Sequence, residues 1–341
     1  LVLSIDSKLQ RKAEALLADK MGSVICMNPQ NGQVYAFVSS PDYDLKSFIG
    51  PIPQKLWDKW NKNSEKPLMN RGIQGTYPPG SILKLISVAY ALDEKIIDEN
   101  WSVPCNGAYK YGDRTFHCWN KNGHGHVDLT QSIKYSCNIY YYHLIQKIGF
   151  ENWSKIVSEF GFGKRSGIDI PGEKKGIVPT RKYMNDKYTS RGWGKGSLLN
   201  FVIGQGDLLV TPQQVIQIMN LIATSGKSFE PHIKLDLQSE PLQVSLKNST
   251  WEFLKDATFA VVNDNDGTGK NANSKWGVVH GKTGTAQNPH GEDHSWFSGY
   301  IELPNKKMMS LAIIVENGGK GSLAGANTAR ELFDEFATLN K

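Results

Sequence analysis

The chain has 341 residues, 39% of them hydrophobic, enough to bury a large core as one large domain or a domain with lobes. Its net charge of +6 is scattered through loops such as residues 59 to 66 and the pair Lys174-Lys175, so it lacks the dense basic stripe of a nucleic-acid-binding surface. No run of about 18 apolar residues is present to span a membrane, and four cysteines are too few for a disulfide scaffold.

Leu1 to Asp6 is strand-like and follows neither a Met nor a signal segment. The chain therefore reads as a fragment from which an export signal or membrane anchor has been trimmed. Ser7 to Lys20 is expected to be helical, capped by Asp6 or Ser7, with Leu9, Ala13, Leu16 and Leu17 on one face. Ser23 to Met27 and Gln33 to Ser39 read as a hairpin turned at Pro29-Gln30-Asn31-Gly32. Residues 40 to 80 are polar and rich in Pro, Lys and Asn, and a loop of that length commonly borders a binding site. Its length and the pair Trp57 and Trp60 point to partner docking or gating rather than chemistry.

Ser81 to Asp93 is apolar on nearly every side, the pattern of a helix at the centre of a domain. Asp128 to Phe162 is again helical, broken at Gly149 and Gly161, and residues 163 to 212 read as Gly- and Lys-rich connections. Thr211-Pro212 opens a helix over Gln213 to Ala223. Val278 to Ala286, Trp296 to Leu303 and Met309 to Val315 read as strands, and Asn327 to Leu339 as a closing helix. This order predicts an α+β fold: an antiparallel sheet built from both chain ends and flanked by helices, with a helical lobe at roughly residues 84 to 170.

Three short strings carry chemistry. Ser81-Ile82-Leu83-Lys84 is the only SxxK, Ser136-Cys137-Asn138 the only SxN, and Lys282-Thr283-Gly284 the only KTG. Pro78 and Pro79 delay the helix so that Ser81 falls in its first turn, where the dipole favours developing negative charge, and Gly80 lets another backbone come close. Lys84, one turn on, can lie beside the hydroxyl, and a desolvated lysine can serve as general base. Ser136 can relay a proton, and the Asn138 amide can both donate to and accept from a peptide-like substrate. Lys282 and Thr283 lie in strand-like sequence, where Gly281 and Gly284 leave room for a substrate backbone to pair. A backbone N–H there and that of Ser81 can form an oxyanion hole. The rival reading of the third string is a phosphate loop, since Gly277 to Thr283 falls one residue short of GxxxxGK[ST].

In this order the three strings resemble the transpeptidase domain of class B penicillin-binding proteins. Gly75-Thr76-Tyr77-Pro78-Pro79-Gly80, Gly204-Gln205-Gly206 with Thr211-Pro212, and Trp296-Phe297-Ser298-Gly299-Tyr300 carry the likeness along essentially the whole chain. Tyr77-Pro78-Pro79-Gly80 and Cys118-Trp119 to Gly123-His124-Gly125 make it closer to the elongation type, with the family's anchor and pedestal absent. The resemblance implies a peptidoglycan DD-transpeptidase. Ser81, Lys84 and Ser136 would be catalytic, and Asn138, Lys282, Thr283, Gly284 and Thr285 would bind substrate. β-Lactams would acylate Ser81, and no metal or organic cofactor would be needed for the reaction. It further implies a place in the bacterial cell envelope, on the periplasmic face of the cytoplasmic membrane, with a SEDS-type glycan polymerase and rod-complex scaffold proteins as partners. Cys137 stands where the usual motif has Asp, between the two functional side chains. The competing activities are a D,D-carboxypeptidase, a β-lactamase (no Glu-x-x-x-Asn lies between the second and third strings) and a non-enzymatic β-lactam sensor domain.

Cys105, Cys118, His124 and Cys137 fall close together ahead of and inside the second string. Three thiolates and an imidazole make a Cys₃His set suited to structural zinc, with His117 or His126 as substitutes for His124. A Cys105–Cys118 disulfide and plain buried thiols are the other readings.

Overall fold

Helix α1 (Ser7–Leu17) begins where the Asp6 carboxylate accepts from the backbone N–H groups of Lys8 and Leu9, and it buries Leu9, Ala13 and Leu17. The computed structural model describes residues 1–189, 192–237, 239–288 and 291–341. β1 (Gly22–Met27) and β2 (Val34–Ser40) form the expected hairpin. Residues 40 to 80 are not a bare loop. They hold a 3₁₀ turn at Leu45–Phe48 and the helix α2 (Gln54–Lys62), whose Trp60 stacks on Phe48 at 5.6 Å. α2 is short and buries only Trp60, so its stripe of Leu56, Trp57 and Trp60 is easily lost in the polar sequence around it.

The expected helix at Ser81 starts as a 3₁₀ turn, Gly80–Leu83, and continues as α3 (Lys84–Asp93). α3 is buried from Lys84 to Ala89 and packs on every helix of the lobe that follows. That lobe contains two small ribbons absent from the sequence reading: β3 (Val103–Cys105) pairs with β6 (Gly125–Val127), and β4 (Ala108–Tyr111) with β5 (Arg114–His117). Three helices succeed them, α4 (Leu129–Lys134), α5 (Asn138–Ile148) and α6 (Phe150–Glu159), the last two separated by Gly149 at φ +77°.

The stretch read as connections carries two short helices, α7 (Arg181–Lys187) and α8 (Gly196–Val202). α9 (Pro212–Ala223) is capped by a reciprocal pair of bonds between Thr211 and Gln214 and is buried along its whole length. A ribbon of β7 (Lys227–Phe229) and β8 (Pro241–Gln243) precedes α10 (Asn248–Asn263), for which no element had been expected. β9 (Val278–Ala286), β10 (His294–Glu302), β11 (Met308–Val315) and α11 (Ala324–Leu339) close the chain.

The main sheet runs β2-β1-β11-β10-β9, antiparallel throughout, so the two chain ends meet where Gly22 faces Val315 and Met27 faces Ser310. Helices cover both faces. Ser310 donates to Asn220 of α9, whereas Ser295, directly opposite Val315, accepts from the Gly325 N–H of α11. Positions 310 and 315 differ by an odd number and therefore face opposite ways. β9 is an edge strand, and the turn at Ser81 packs against it. Among the described residues no helix is long and apolar enough to cross a membrane.

Candidate active site

Gly80 is the residue that lets the Ser81 turn reach β9. Its φ is +57°, and a Cβ there would lie 2.8 Å from the Thr285 oxygen and 3.0 Å from its nitrogen. Its N–H donates to the Gly204 carbonyl at 2.9 Å, and Gly204, at φ +73°, comes so near that a Cβ would sit 2.0 Å from the Gly80 oxygen. Three backbones therefore meet without side chains between them. The approach to this junction is fixed by the pairing of Tyr77 with Val210 and by Trp296, whose indole N–H donates to the Pro78 carbonyl at 3.0 Å. Ser81 is thus held at a helix start against the edge of β9, with the Ser81 and Thr285 N–H groups on neighbouring backbones.

Lys84 lies fully buried one turn later. Its ammonium donates to the Ser136 carbonyl at 2.8 Å, the Ser136 hydroxyl at 3.2 Å and the Asn138 side-chain oxygen at 2.7 Å, and it lies 5.0 Å from the centre of the Tyr141 ring. Burial lowers its pKa from the ordinary lysine range to about 8, against the opposing pull of the Cys118 and Cys137 sulfurs.

Ser136 owes its position to the end of α4. Its N–H bonds the Ile133 carbonyl, and the N–H of Cys137 reaches back to Ser132. That is the paired closure which puts the residue after the helix in the left-handed region, usually as glycine. Here the residue is Ser136, at φ +54°. The strained turn points a hydroxyl at Lys84, and α5 then begins with Asn138.

On β9, Lys282 is fully buried and, among the described residues, donates only to the Thr283 carbonyl, at 3.2 Å. Burial and then the charge of Lys84 hold its pKa well below the usual range. Among the described residues neither lysine has a carboxylate within ion-pair distance. Two buried amines without a counter-ion make a site that favours an anion.

Gly281 and Gly284 do not serve the purpose expected of them. A Cβ on Gly284 would meet Pro79 and Trp296, and one on Gly281 the Phe297 ring, so these glycines admit protein rather than substrate. The phosphate-loop reading is also overturned. Lys282 and Thr283 lie inside β9, which continues to Ala286, with no helix starting after them.

The sequence matches the penicillin binding protein transpeptidase domain over residues 22–335. The chain belongs to this family. It is 32% identical over 363 residues to the peptidoglycan D,D-transpeptidase MrdA of Haemophilus influenzae, an alignment covering 98% of this chain and 56% of that protein. The chain thus spans about half the length of that relative. Pseudomonas aeruginosa PBP2, solved in complex with WCK 5153, superposes with a TM-score of 0.90 at 32% identity, covering 98% of this chain and 75% of that one. Helicobacter pylori PBP2, solved in complex with MreC, gives 0.90 at 33% identity, with coverages of 98% and 64%.

This transpeptidase-family chain gathers its cysteine cluster directly beside the second string. Cys105, Cys118 and Cys137 are free thiols, not a disulfide, and their sulfurs lie with a His124 nitrogen inside one group, all within 4.8 Å of one another. His124 Nδ1 stands 3.5 Å from the sulfurs of both Cys105 and Cys118, and its Nε2 is buried without a partner. Tetrahedral zinc with thiolate ligands needs neighbouring sulfurs about 3.8 Å apart, and this spacing accommodates it. The Cys118 thiol is acidified well below the usual range, first by the bond from Cys137, whose own proton is held more tightly in return. His117 and His126 lie outside this group, although the His117 carbonyl accepts from Asn138 at 3.3 Å.

The close backbone approach expected at Gly80 is present, but the sequence assigned no role to the two residues that complete the junction, Gly204 and Gln205. Gly80 and Gly204 make the backbone junction, and Gln205 bonds β9 next to it. Gly204-Gln205-Gly206 was visible as a string, but its distance of more than 100 residues from Ser81 concealed which strand it touches.

Proposed function

We propose that this chain is the catalytic part of a peptidoglycan D,D-transpeptidase. The observation that carries the reading is a neutralisable Lys84, one turn after the helix-start Ser81 and bonded to Ser136, beside a second buried amine, Lys282, that has no carboxylate partner among the described residues. A stem peptide ending in D-Ala-D-Ala supplies what such a site lacks, a terminal carboxylate beside its scissile amide. Lys282, with Thr283 and Thr285, takes the carboxylate side, and Asn138 takes a peptide amide. Neutral Lys84 removes the Ser81 proton as Oγ attacks the carbonyl carbon, and the oxyanion forms between the Ser81 and Thr285 N–H groups. The C–N bond then breaks. The proton passes through Ser136 to the leaving amine, D-Ala departs, and an amine of a second stem takes the acyl group from Ser81 by the reverse sequence.

β-Lactams present the same carboxylate and carbonyl and stop at the acyl-enzyme. A D,D-carboxypeptidase would differ only in using water as acceptor, and the likeness to MrdA and PBP2 favours transfer to an amine. The same likeness supports work in the cell envelope during elongation with an MreC-like scaffold, and likeness to a peptidoglycan synthase complex that coordinates polymerization and crosslinking supports a SEDS-type polymerase as a second partner. The Cys105, Cys118, His124 and Cys137 set would hold a structural zinc. Such an ion would fix the loop of Ser136 and Asn138 and supply no step of the reaction.

Labelled penicillin tests the reading. Wild-type protein should carry one covalent label on Ser81, and folded Ser81→Ala none. Equal labelling of both would end the assignment.

A further inference from the structure

The free edge of β9 is already taken by a side chain. β10 pairs with one edge, and the other faces the Ser81 turn. On that outer edge Gln205 Nε2 donates to the Thr285 carbonyl at 2.9 Å, and Gln205 Oε1 accepts from the Gln287 N–H at 3.2 Å. Residues two apart on a strand turn their backbone groups to the same side, and the bond from Lys282 to the Thr283 carbonyl continues the series. One carboxamide thus holds one acceptor and one donor of the row that an added strand would use.

The position of these groups gives the contact its meaning. With the substrate carboxylate at Lys282 and the scissile carbonyl between Ser81 and Thr285, the rest of the donor must run from 285 toward 287. It then lies antiparallel to β9, and the amide preceding the scissile carbonyl meets the groups Gln205 occupies. The residue is held there rather than wandering. It is buried, its own N–H donates to the Asn200 carbonyl at 2.9 Å, and its neighbour Gly204 is locked against Gly80.

We propose that Gln205 is a specificity-determining gate for the acyl donor. Its carboxamide keeps the β9 edge closed at Thr285 and Gln287, and a donor enters by exchanging those bonds for its own amide. The inference rests on the acyl-transfer reading of Ser81.

The test compares acylation of wild type, Gln205→Ala and Gln205→Met by benzylpenicillin, which bears an acylamino side chain, and by a carbapenem, whose hydroxyethyl side chain has no amide. Met keeps the volume of Gln and loses both bonds, so it guards against a collapsed loop in the alanine variant. Opening the gate should speed benzylpenicillin acylation by about three- to tenfold, the worth of a net hydrogen bond or so. The gain should sit in the non-covalent binding step, and carbapenem acylation should stay within about twofold by the same measure. An unchanged ratio between the two drugs overturns the gate. So does an equal fall for both, which would make Gln205 a support for the oxyanion strand. Failure of the wild type to label at Ser81 would instead remove the acyl-transfer reading itself.

Discussion

Buried Arg71 and half-buried Glu316, 245 residues apart in the chain, form an ion pair at 2.8 Å. Glu316 also accepts from the Tyr77 hydroxyl at 2.6 Å, and the Arg71 guanidinium donates to the carbonyls of Glu65 and Lys66. The pair thus ties the segment after α2, the approach to Ser81 and the end of β11 into one network. Truncating Arg71 leaves the partly exposed Glu316 carboxylate without its counter-ion, so Arg71→Ala should lower stability by about 2–3 kcal/mol, less than the loss at a fully buried pair. Tyr77→Phe removes one hydrogen bond to a charged group and should cost about 1.5–3 kcal/mol. Urea midpoints measure both, and a loss below about 1 kcal/mol for Arg71→Ala would mean that water replaces the guanidinium. The network also limits what can be removed from residues 40 to 80. Excising 52 to 66 takes away the carbonyls that hold Arg71. Trp57→Ala touches only an exposed ring and should leave penicillin acylation intact.

Lys84 sets the pH dependence. Burial depresses its pKa to about 8, so the amine is charged below that value and free to take a proton above it. Acylation by penicillin should therefore climb about tenfold per pH unit up to about pH 8 and level off beyond, as expected for a general base. Lys84→Ala should lose about 10²- to 10⁴-fold and flatten the profile. A flat wild-type profile between pH 6 and 9 would assign the proton to another group. Lys282 stays outside this titration as long as the substrate carboxylate faces it, because that charge favours its protonated form.

The sheet was legible because its strands are either nearly continuous apolar runs, as in Met308–Val315, or alternate in burial, as in Val34–Ser40, and turn residues bound them. The buried helix α3 was legible for the same reason. α2 and α7 were not: each buries a single side chain, Trp60 or Met184, and their local sequence is that of a polar loop. α10 did carry a helical stripe through Trp251, Leu254, Ala257, Thr258 and Val261, but no N-terminal capping side chain marks its start. At the site, Ser81, Lys84, Ser136 and Asn138 announced themselves by spacing. What spacing could not convey is contact between distant backbones, which is why Gly284 was read as room for substrate when it is room for Pro79.

The junction of Gly80 and Gly204 gives a sharp mutational expectation. A Cβ on Gly204 would overlap the Gly80 carbonyl, and the positive φ resists any side chain. Gly204→Ala should displace the Ser81 turn from β9 and reduce penicillin acylation by about 10²-fold, the order seen when one oxyanion donor is lost. Circular dichroism should stay native, because the site lies at the rim of the sheet rather than in the core. Wild-type acylation by Gly204→Ala would show that the oxyanion donors do not depend on this contact.

The cysteine cluster makes the last prediction. Zinc bound by Cys105, Cys118, His124 and Cys137 would cross-link β3, the end of β5, the loop before β6 and the start of α5. Protein purified without chelator should contain about one equivalent of zinc, and less than about 0.2 would count against the site. Chelation at neutral pH should lower the unfolding midpoint and expose three further thiols to titration, since a structural ion holds its ligands deprotonated and shielded. Cys118→Ser should weaken binding in the same direction. Because the ion would position Ser136 and Asn138 without touching the scissile bond, stripped protein that remains folded should keep the pH profile of acylation and lose only part of its rate. A stripped protein with unchanged stability and unchanged thiol reactivity would mean that the four side chains are plain buried groups.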